Sequence, residues 1–538
     1  MPPRPLLSRL LAFLAASLLV ACAERPSLKQ DAAPHELNPA ASRASIPMPL
    51  VAPFPAATNA YPAQPESRER YSQINENPVK LVAEAPVSTF SVDVDTASYS
   101  NVRRLLNAGR LPPTDAVRVE ELINYFPYDY ALPTDQRPFA VHTALAPAPW
   151  NAERVLLRIA IKGQDVAKAK LPPANLVFLV DVSGSMYSPD KLPLLKNALK
   201  LLVNELREQD NITLVTYASG TQVVLPPTSG REKATINAAI DALQAGGSTA
   251  GASGILLAYN AAQQSFVKHG INRILLATDG DFNVGISDDR QLKSLIEEKR
   301  KSGISLSTLG FGTGNLNDRL MKQIADAGDG AYSYIDSLME GHKVLVNEMT
   351  STLATIAKDV KVQIEFNPAQ VKEYRQIGYE SRQLKREDFN NDQVDAGDIG
   401  AGHTVTALYE LTLAGGKGSI DPLRYARKAD AKAARSKELG FLRLRYKAPD
   451  GGASQLLETP LNKEAIQPLA KTDREFRFAT AVAGYGQLLR SGKYTGKWTY
   501  GDARQLAQDN LGTDRYGYRG EFLRLIDLAQ ALSTKPGQ

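Results

Sequence analysis

The chain has 538 residues, 22% of them charged, and a formal net charge of only +5. Its basic and acidic residues are interspersed, without an arginine-lysine block, so neither nucleic-acid nor anionic-surface binding is supported. A single cysteine excludes an internal disulfide, a thiolate metal cluster and cysteine-pair redox chemistry, and the length exceeds one ordinary core, so several domains are implied.

Arg4 and Arg9 precede an apolar run over 10–21 that is too short for a comfortable membrane span and suits a signal peptide over 1–21. The run stops at Leu19-Val20-Ala21-Cys22, which resembles the lipobox of bacterial lipoproteins. That resemblance implies cleavage before Cys22 and a lipid on Cys22, an anchor that holds a soluble domain at the membrane. The alternative is a plain signal peptide with an incidental cysteine. Ala23 stands where an aspartate would signal inner-membrane retention, so outer-membrane sorting, facing the periplasm, is expected. Residues 22–84 are rich in Pro, Ala and Ser, and Pro47, Pro49, Pro53 and Pro55 cannot join a helix or a central strand. This stretch reads as a flexible tether.

An N-terminal region over 85–165 follows. Residue patterning predicts a strand over 90–94, helices over 102–108 and 119–126, and strands over 139–145 and 155–161. Asp93 and Asp95 could form a second cation site, but the turn position of Asp95 and the capping potential of Ser98 favour a structural role.

Strands and helices then alternate through a domain over 172–350. Strands are predicted over 176–180, 211–217, 271–277, 304–311 and 330–334, with 221–225 as an antiparallel edge. Helices are predicted over 192–206, 234–243, 252–267, 292–301 and 317–327. The fold class is α/β, a mostly parallel central sheet covered by helices, with its site at the carboxyl ends of the strands. Three loops at such ends carry oxygen donors: Asp181, Ser183 and Ser185 in Asp-Val-Ser-Gly-Ser, Thr249 in Gly-Gly-Ser-Thr, and Asp279 in Thr-Asp-Gly. Two carboxylates plus hydroxyls suit one hard divalent cation: Mg²⁺ is expected, with Mn²⁺ or Ca²⁺ as alternatives. Asp281 is placed to tune the potential there, whereas Asp288 and Asp289 read as loop and helix cap. Met186 is expected to pack beneath the loop or at its rim, because sulfur is a poor ligand for such an ion.

These three motifs together resemble the metal-ion-dependent adhesion site of the von Willebrand factor type A (VWA) domain, a Rossmann-like fold. The resemblance implies a metal site of Asp181, Ser183, Ser185, Thr249 and Asp279, in which the serines ligate directly and either Thr249 or Asp279 acts through water. It also implies an open coordination position that an Asp or Glu carboxylate of a partner protein completes.

Beyond the central domain, strands are predicted over 361–366, 371–379, 404–413 and 441–446, within a β-rich domain over 356–465. The acidic stretches 387–392 and 395–400 read as solvated turns, since EF-hand spacing is absent. The strands before 163 and after 358 either pair into one β-rich domain or form two small domains in series; pairing is the expectation. A helical region over 473–533 closes the chain, with helices over 476–490, 502–509 and 521–532, the last beginning after a 514–520 turn and docking on its neighbours. The layout resembles a bacterial family of VWA lipoproteins, carried by Asp93–Tyr99, Arg118–Phe126 and Gly397–His403. Its implied role is cation-dependent protein binding in the envelope, as an adhesion or scaffold factor. The rivals are a lipoprotein whose cation only stabilises the fold, and a metal-dependent hydrolase. No histidine pair, nucleophile elbow or phosphate loop accompanies the site, and His142, His269 and His403 are dispersed, so a non-enzyme is expected. Oligomeric state is left open.

Overall fold

The structure is a computed structural model that describes residues 68–92, 95–248, 251–280, 289–394, 396–421 and 436–534. Cys22, the signal peptide and the tether up to residue 67 lie outside the described residues, as do Asp93, Thr249, Asp281, Asp288 and Asp395. Residues 68–84, expected to end the tether, instead lie against folded chain. Arg68 N and Arg70 N donate to Gly314 O and Leu316 O at 2.9 Å each, and Asn77 Nδ2 donates to Gly378 O at 2.7 Å. The reason is local: Pro78 is the sole proline between residues 66 and 84, so most backbone N–H groups there are available to pair.

In chain order the first elements are β1 (Lys80–Leu81), β2 (Val87–Ser91), α1 (Ala97–Asn107), α2 (Val119–Asn124), β3 (Phe139–Ala148) and β4 (Asn151–Gly163). The central domain follows with β5 (Ala174–Asp181), α3 (Leu192–Glu205), β6 (Asn211–Tyr217), β7 (Thr221–Ser229), α4 (Lys233–Asp241), α5 (Gly251–Gln264) and β8 (Ile271–Thr278). It continues through α6 (Asp289–Lys299), β9 (Ser305–Phe311), α7 (Asp318–Ala327), β10 (Tyr332–Ile335), α8 (Leu338–His342) and α9 (Met349–Leu353). Its sheet runs β10-β9-β8-β5-β6-β7, parallel except for the antiparallel edge β7, as expected from the sequence. Successive residues of β5 point to opposite faces. Leu176, Phe178 and Val180 pack with Leu195 and Leu199 of α3, whereas Val177 and Leu179 pack with Ile255 of α5 and Ile296 of α6. Burial on both faces is why the strand reads as one unbroken apolar run.

The remaining strands are β11 (Thr355–Phe366), β12 (Val371–Ile377), β13 (Ile399–Gly400), β14 (Thr404–Leu413), β15 (Glu438–Ala448) and β16 (Gly451–Asn462). One antiparallel sheet runs β1-β12-β14-β4-β3; the other runs β13-β11-β15-β16, with β2 also on β11. Because β4 lies beside β14, the N- and C-terminal segments build one β-rich domain rather than two in series. Leu157, Ile159 and Tyr409 of the first sheet meet Val362, Ile364 and Leu444 of the second. The opposite face of the first sheet, with Leu156, Ala160 and Leu408, is covered by α1, α2 and the terminal helices α10 (Arg474–Leu489), α11 (Tyr500–Gln508) and α12 (Tyr518–Ser533). The docking expected for the terminal helices is therefore observed. Helix α12 starts before Gly520, not after it: Gly517 takes φ +76° at its start, and the Asp514 carboxylate accepts from Arg519 N and Gly520 N. Strand β16 was not foreseen, because it is mostly exposed and carries no clean alternation.

The α/β domain leaves and re-enters the β-rich domain at one place. Gly163, ending β4, donates its N–H to His403 O at 2.8 Å, and a Cβ on Gly163 would lie 2.9 Å from Ile356 Cδ1 of β11. Buried charges also cross the boundary. Asp95 accepts from Tyr332 N of edge strand β10 at 2.8 Å and pairs with Lys322 of α7 and with Arg382. Burial raises the Asp95 pKa, but Lys322 and Arg382 outweigh it and hold it at about 2. The structural role expected of Asp95 is what these contacts perform. Among the described residues, no helix is long and apolar enough to cross a membrane.

Candidate functional site

Asp181 is the last residue of β5, and the parallel register sets it opposite Tyr217, the last residue of β6. Its carboxylate is fully buried. Oδ1 accepts from Ser183 N at 2.9 Å, and Oδ2 accepts from Thr278 Oγ1 at 2.9 Å and from the Tyr217 hydroxyl at 3.2 Å. A single-turn 3-10 helix, Gly184–Tyr187, then carries Ser185, whose Oγ lies 3.0 Å from Ser183 Oγ. Met186 faces inward, fully buried against the α3 side of the core, as the sequence suggested.

Two further loops knit to this one. Gly184 N donates to Gly247 O at 3.0 Å, Gly246 N donates to Val182 O at 2.8 Å, and Ser248 N donates to Ser219 Oγ at 3.0 Å. Thr249 follows directly but lies outside the described residues. Gly247 takes φ +83°, and a Cβ there would lie 2.4 Å from Ser219 Oγ. On the other side Gly280, at φ +89°, lets the chain turn after Asp279; a Cβ there would lie 2.4 Å from Asn317 N.

Asp279 is also fully buried. Its Oδ2 accepts from Lys191 Nζ at 2.8 Å, and the same ammonium donates to Asn315 Oδ1 at 3.2 Å. Burial pushes the Asp279 pKa up, but hydrogen bonds from Asn315 and Lys191, the Lys191 charge and Ser185 together hold it below the ordinary carboxylate value. Asp181 goes the other way: burial dominates, the Asp279 charge adds to it, and bonds from Ser183 and Thr278 offset only part. The described part of the site thus holds two carboxylates against one ammonium.

Sequence reasoning identified Asp181, Ser183, Ser185 and Asp279, and the fold brings these four together at the carboxyl ends of the central strands β5 and β8. It missed Tyr217, Thr278, Lys191 and Asn315. Tyr217 and Thr278 were findable, since each ends a strand flanking Asp181. Lys191 and Asn315 were not, because they reach the site only through the folding of loops that carry no motif. Tyr187, 81% exposed beside the serine loop, was also missed. A separate cleft of about 1560 Å³ opens at the opposite ends of these strands, near Ile271, Arg273 and Ser305.

An all-oxygen set of two carboxylates and two adjacent hydroxyls fits a hard divalent cation. Among the described residues no group of three or more His, Cys, Asp and Glu side chains is placed to hold a metal, so a cation at this site would depend on carboxylates and hydroxyls together.

Residues 175–348 match the von Willebrand factor type A domain family, 65–158 match a family described as von Willebrand factor, and 351–532 match the C-terminal family of the uncharacterized protein YfbK. Uncharacterized protein YfbK of Escherichia coli (strain K12) is 55% identical over 472 residues, which are 86% of this chain and 81% of that protein. The chain belongs to the YfbK family of VWA-domain proteins. A more distant relative, uncharacterized protein sll0103 of Synechocystis, is 27% identical over 65% of this chain and 78% of its own length. Among solved structures, von Willebrand factor type A from Catenulispora acidiphila aligns with TM-score 0.42 and 18% identity, covering 74% of this chain and 92% of that one. VWA-domain proteins form a non-catalytic superfamily generally involved in protein–protein interactions, and the domain often uses a divalent cation.

Proposed function

We propose that this YfbK-family protein is an envelope lipoprotein that binds another protein through a divalent cation held by Asp181, Ser183, Ser185, Thr249 and Asp279. The observation that carries the reading is the convergence of Asp181, the Ser183–Ser185 hydroxyl pair and Asp279 at the carboxyl end of a mostly parallel sheet. A bound cation, Mg²⁺ in this reading, supplies an open coordination position for a carboxylate of the partner. The chain's own residues do the rest. Tyr217 and Thr278 fix the Asp181 carboxylate, the backbone of Ser183 aims the serine loop, and exposed Tyr187 offers an aromatic contact at the rim. That exposed ring favours capture of a partner over a cation that serves the fold alone. Cys22 carries the lipid, placing the protein at the outer membrane on the periplasmic side, in an adhesion or scaffold role.

Replacing Asp181 with Ala removes a buried anchoring charge. Calorimetry should then show Mg²⁺ binding weakened by at least tenfold, and retention of envelope proteins on an immobilised column should become insensitive to chelator. Unchanged Mg²⁺ binding in Asp181→Ala would sink the site assignment.

A further inference from the structure

The site contains a cation of its own. Lys191 is only 7% exposed, and its ammonium sits on Asp279 Oδ2 at 2.8 Å and on Asn315 Oδ1 at 3.2 Å. Its stem is fixed as well as its head. Gly312 takes φ +74°, and a Cβ there would lie 2.3 Å from Lys191 Cε and 2.4 Å from Cγ, so the loop after β9 leaves a groove for the lysine methylenes. A lysine held along its length and buried beside a carboxylate differs from a solvated surface pair, whose two ends move freely.

We infer that Lys191 is a resident counter-ion of the adhesion site, which weakens the uptake of a divalent cation and couples that uptake to the arrival of a partner carboxylate. The inference rests on the metal-site reading above. Two carboxylates and one ammonium leave the described site with a net single negative charge. A divalent ion inverts this to a net single positive charge, which an acidic partner group then neutralises. Without the ammonium, the same ion would bring the site only to neutrality. Ion binding would be tighter, and a carboxylate would gain less from joining it. Because coupling between two ligands is reciprocal, carboxylate should strengthen ion binding in the natural protein to the same degree that the ion strengthens carboxylate binding.

The test is a Mn²⁺ titration of the full chain by electron paramagnetic resonance, with sodium acetate or with sodium chloride at equal ionic strength, on the natural protein, Lys191→Met and Lys191→Arg. Even screened as in water, a unit charge a few ångströms from a divalent ion changes affinity by about tenfold, and burial only enlarges the effect. Lys191→Met should therefore bind Mn²⁺ at least about tenfold more tightly and show a smaller acetate enhancement at the same acetate concentration, while Lys191→Arg keeps natural values. If Lys191→Met binds with natural affinity, or more weakly, the counter-ion role is overturned while the metal site stands. If no protein binds Mn²⁺, the metal-site reading itself falls, and this inference with it. Should Lys191→Met fail to fold by circular dichroism, Lys191→Gln serves the same comparison with a polar head that still reaches Asn315.

Discussion

At the scale of single residues, surroundings separate side chains that sequence alone treats alike. The dispersed histidines illustrate this. Both rings are half-buried, but His142 Nε2 bonds to Ala131 O at 2.8 Å, whereas His403 feels the Lys343 and Lys162 charges. Burial lowers the His403 pKa to about 4, and the neighbouring Lys343 and Lys162 charges push the same way. The folded state thus prefers neutral His403, and an unfolded chain takes up its proton near pH 6.5. This contribution to stability is whole above pH 6.5 and drains away as pH falls toward 4, by roughly 2 kcal/mol. Urea unfolding of the natural protein and of His403→Gln at pH 7, 5.5 and 4.5 should show the stability difference between them changing by about that amount across the window. A difference constant with pH would remove His403 from the account. Asp181, Ser183, Ser185 and Asp279 were legible from their motifs, because their spacing follows the strand ends that present them. Lys191 was invisible, because its place on Asp279 depends on a groove at Gly312, a tertiary fact.

At the scale of elements, the strands buried on both faces were read almost in full, and those buried on one face or none were read worst. The sequence reading of 211–217 and 404–413 matches β6 and β14 residue for residue. Exposed β16 and the short helices α8 and α9 left no such trace, since their residues follow neither period cleanly. The terminal helices were legible as helices, but their partners were not. Phe522 of α12 is fully buried and meets Phe126, Phe478 and Tyr485 edge-on at 5.4, 5.8 and 5.1 Å. Truncation there leaves a cavity among aromatic rings. Phe522→Ala should lower unfolding free energy by about 3–5 kcal/mol without altering Mn²⁺ affinity. A loss below about 1 kcal/mol in urea unfolding would show that the helices add little to the layer beneath them.

At the scale of the whole molecule, Arg103 joins three parts of the chain. From α1 it reaches Asp336 after β10 at 2.5 Å, Glu340 of α8 at 2.7 Å and Glu521 of α12 at 2.9 Å. The Tyr125 hydroxyl donates to the same Glu340 carboxylate at 2.7 Å. Removing the guanidinium would strand buried acids, a change that costs about 3–5 kcal/mol for a broken buried pair. Arg103→Met should lose that much in urea unfolding, and hydrogen exchange across Tyr332–Ile335 should accelerate at least tenfold as the α1 side of the sheet loosens. Unchanged exchange would mean the α/β domain is held by other contacts.

The shared crossing point at Gly163 and Ile356 has a mechanical consequence. Tension applied to the α/β domain passes into two strands together, β4 and β11. Each is an interior strand, β4 between β3 and β14, β11 between β2 and β15. A pull along them loads their hydrogen-bond ladders in shear, many bonds at once, rather than unzipping one bond after another.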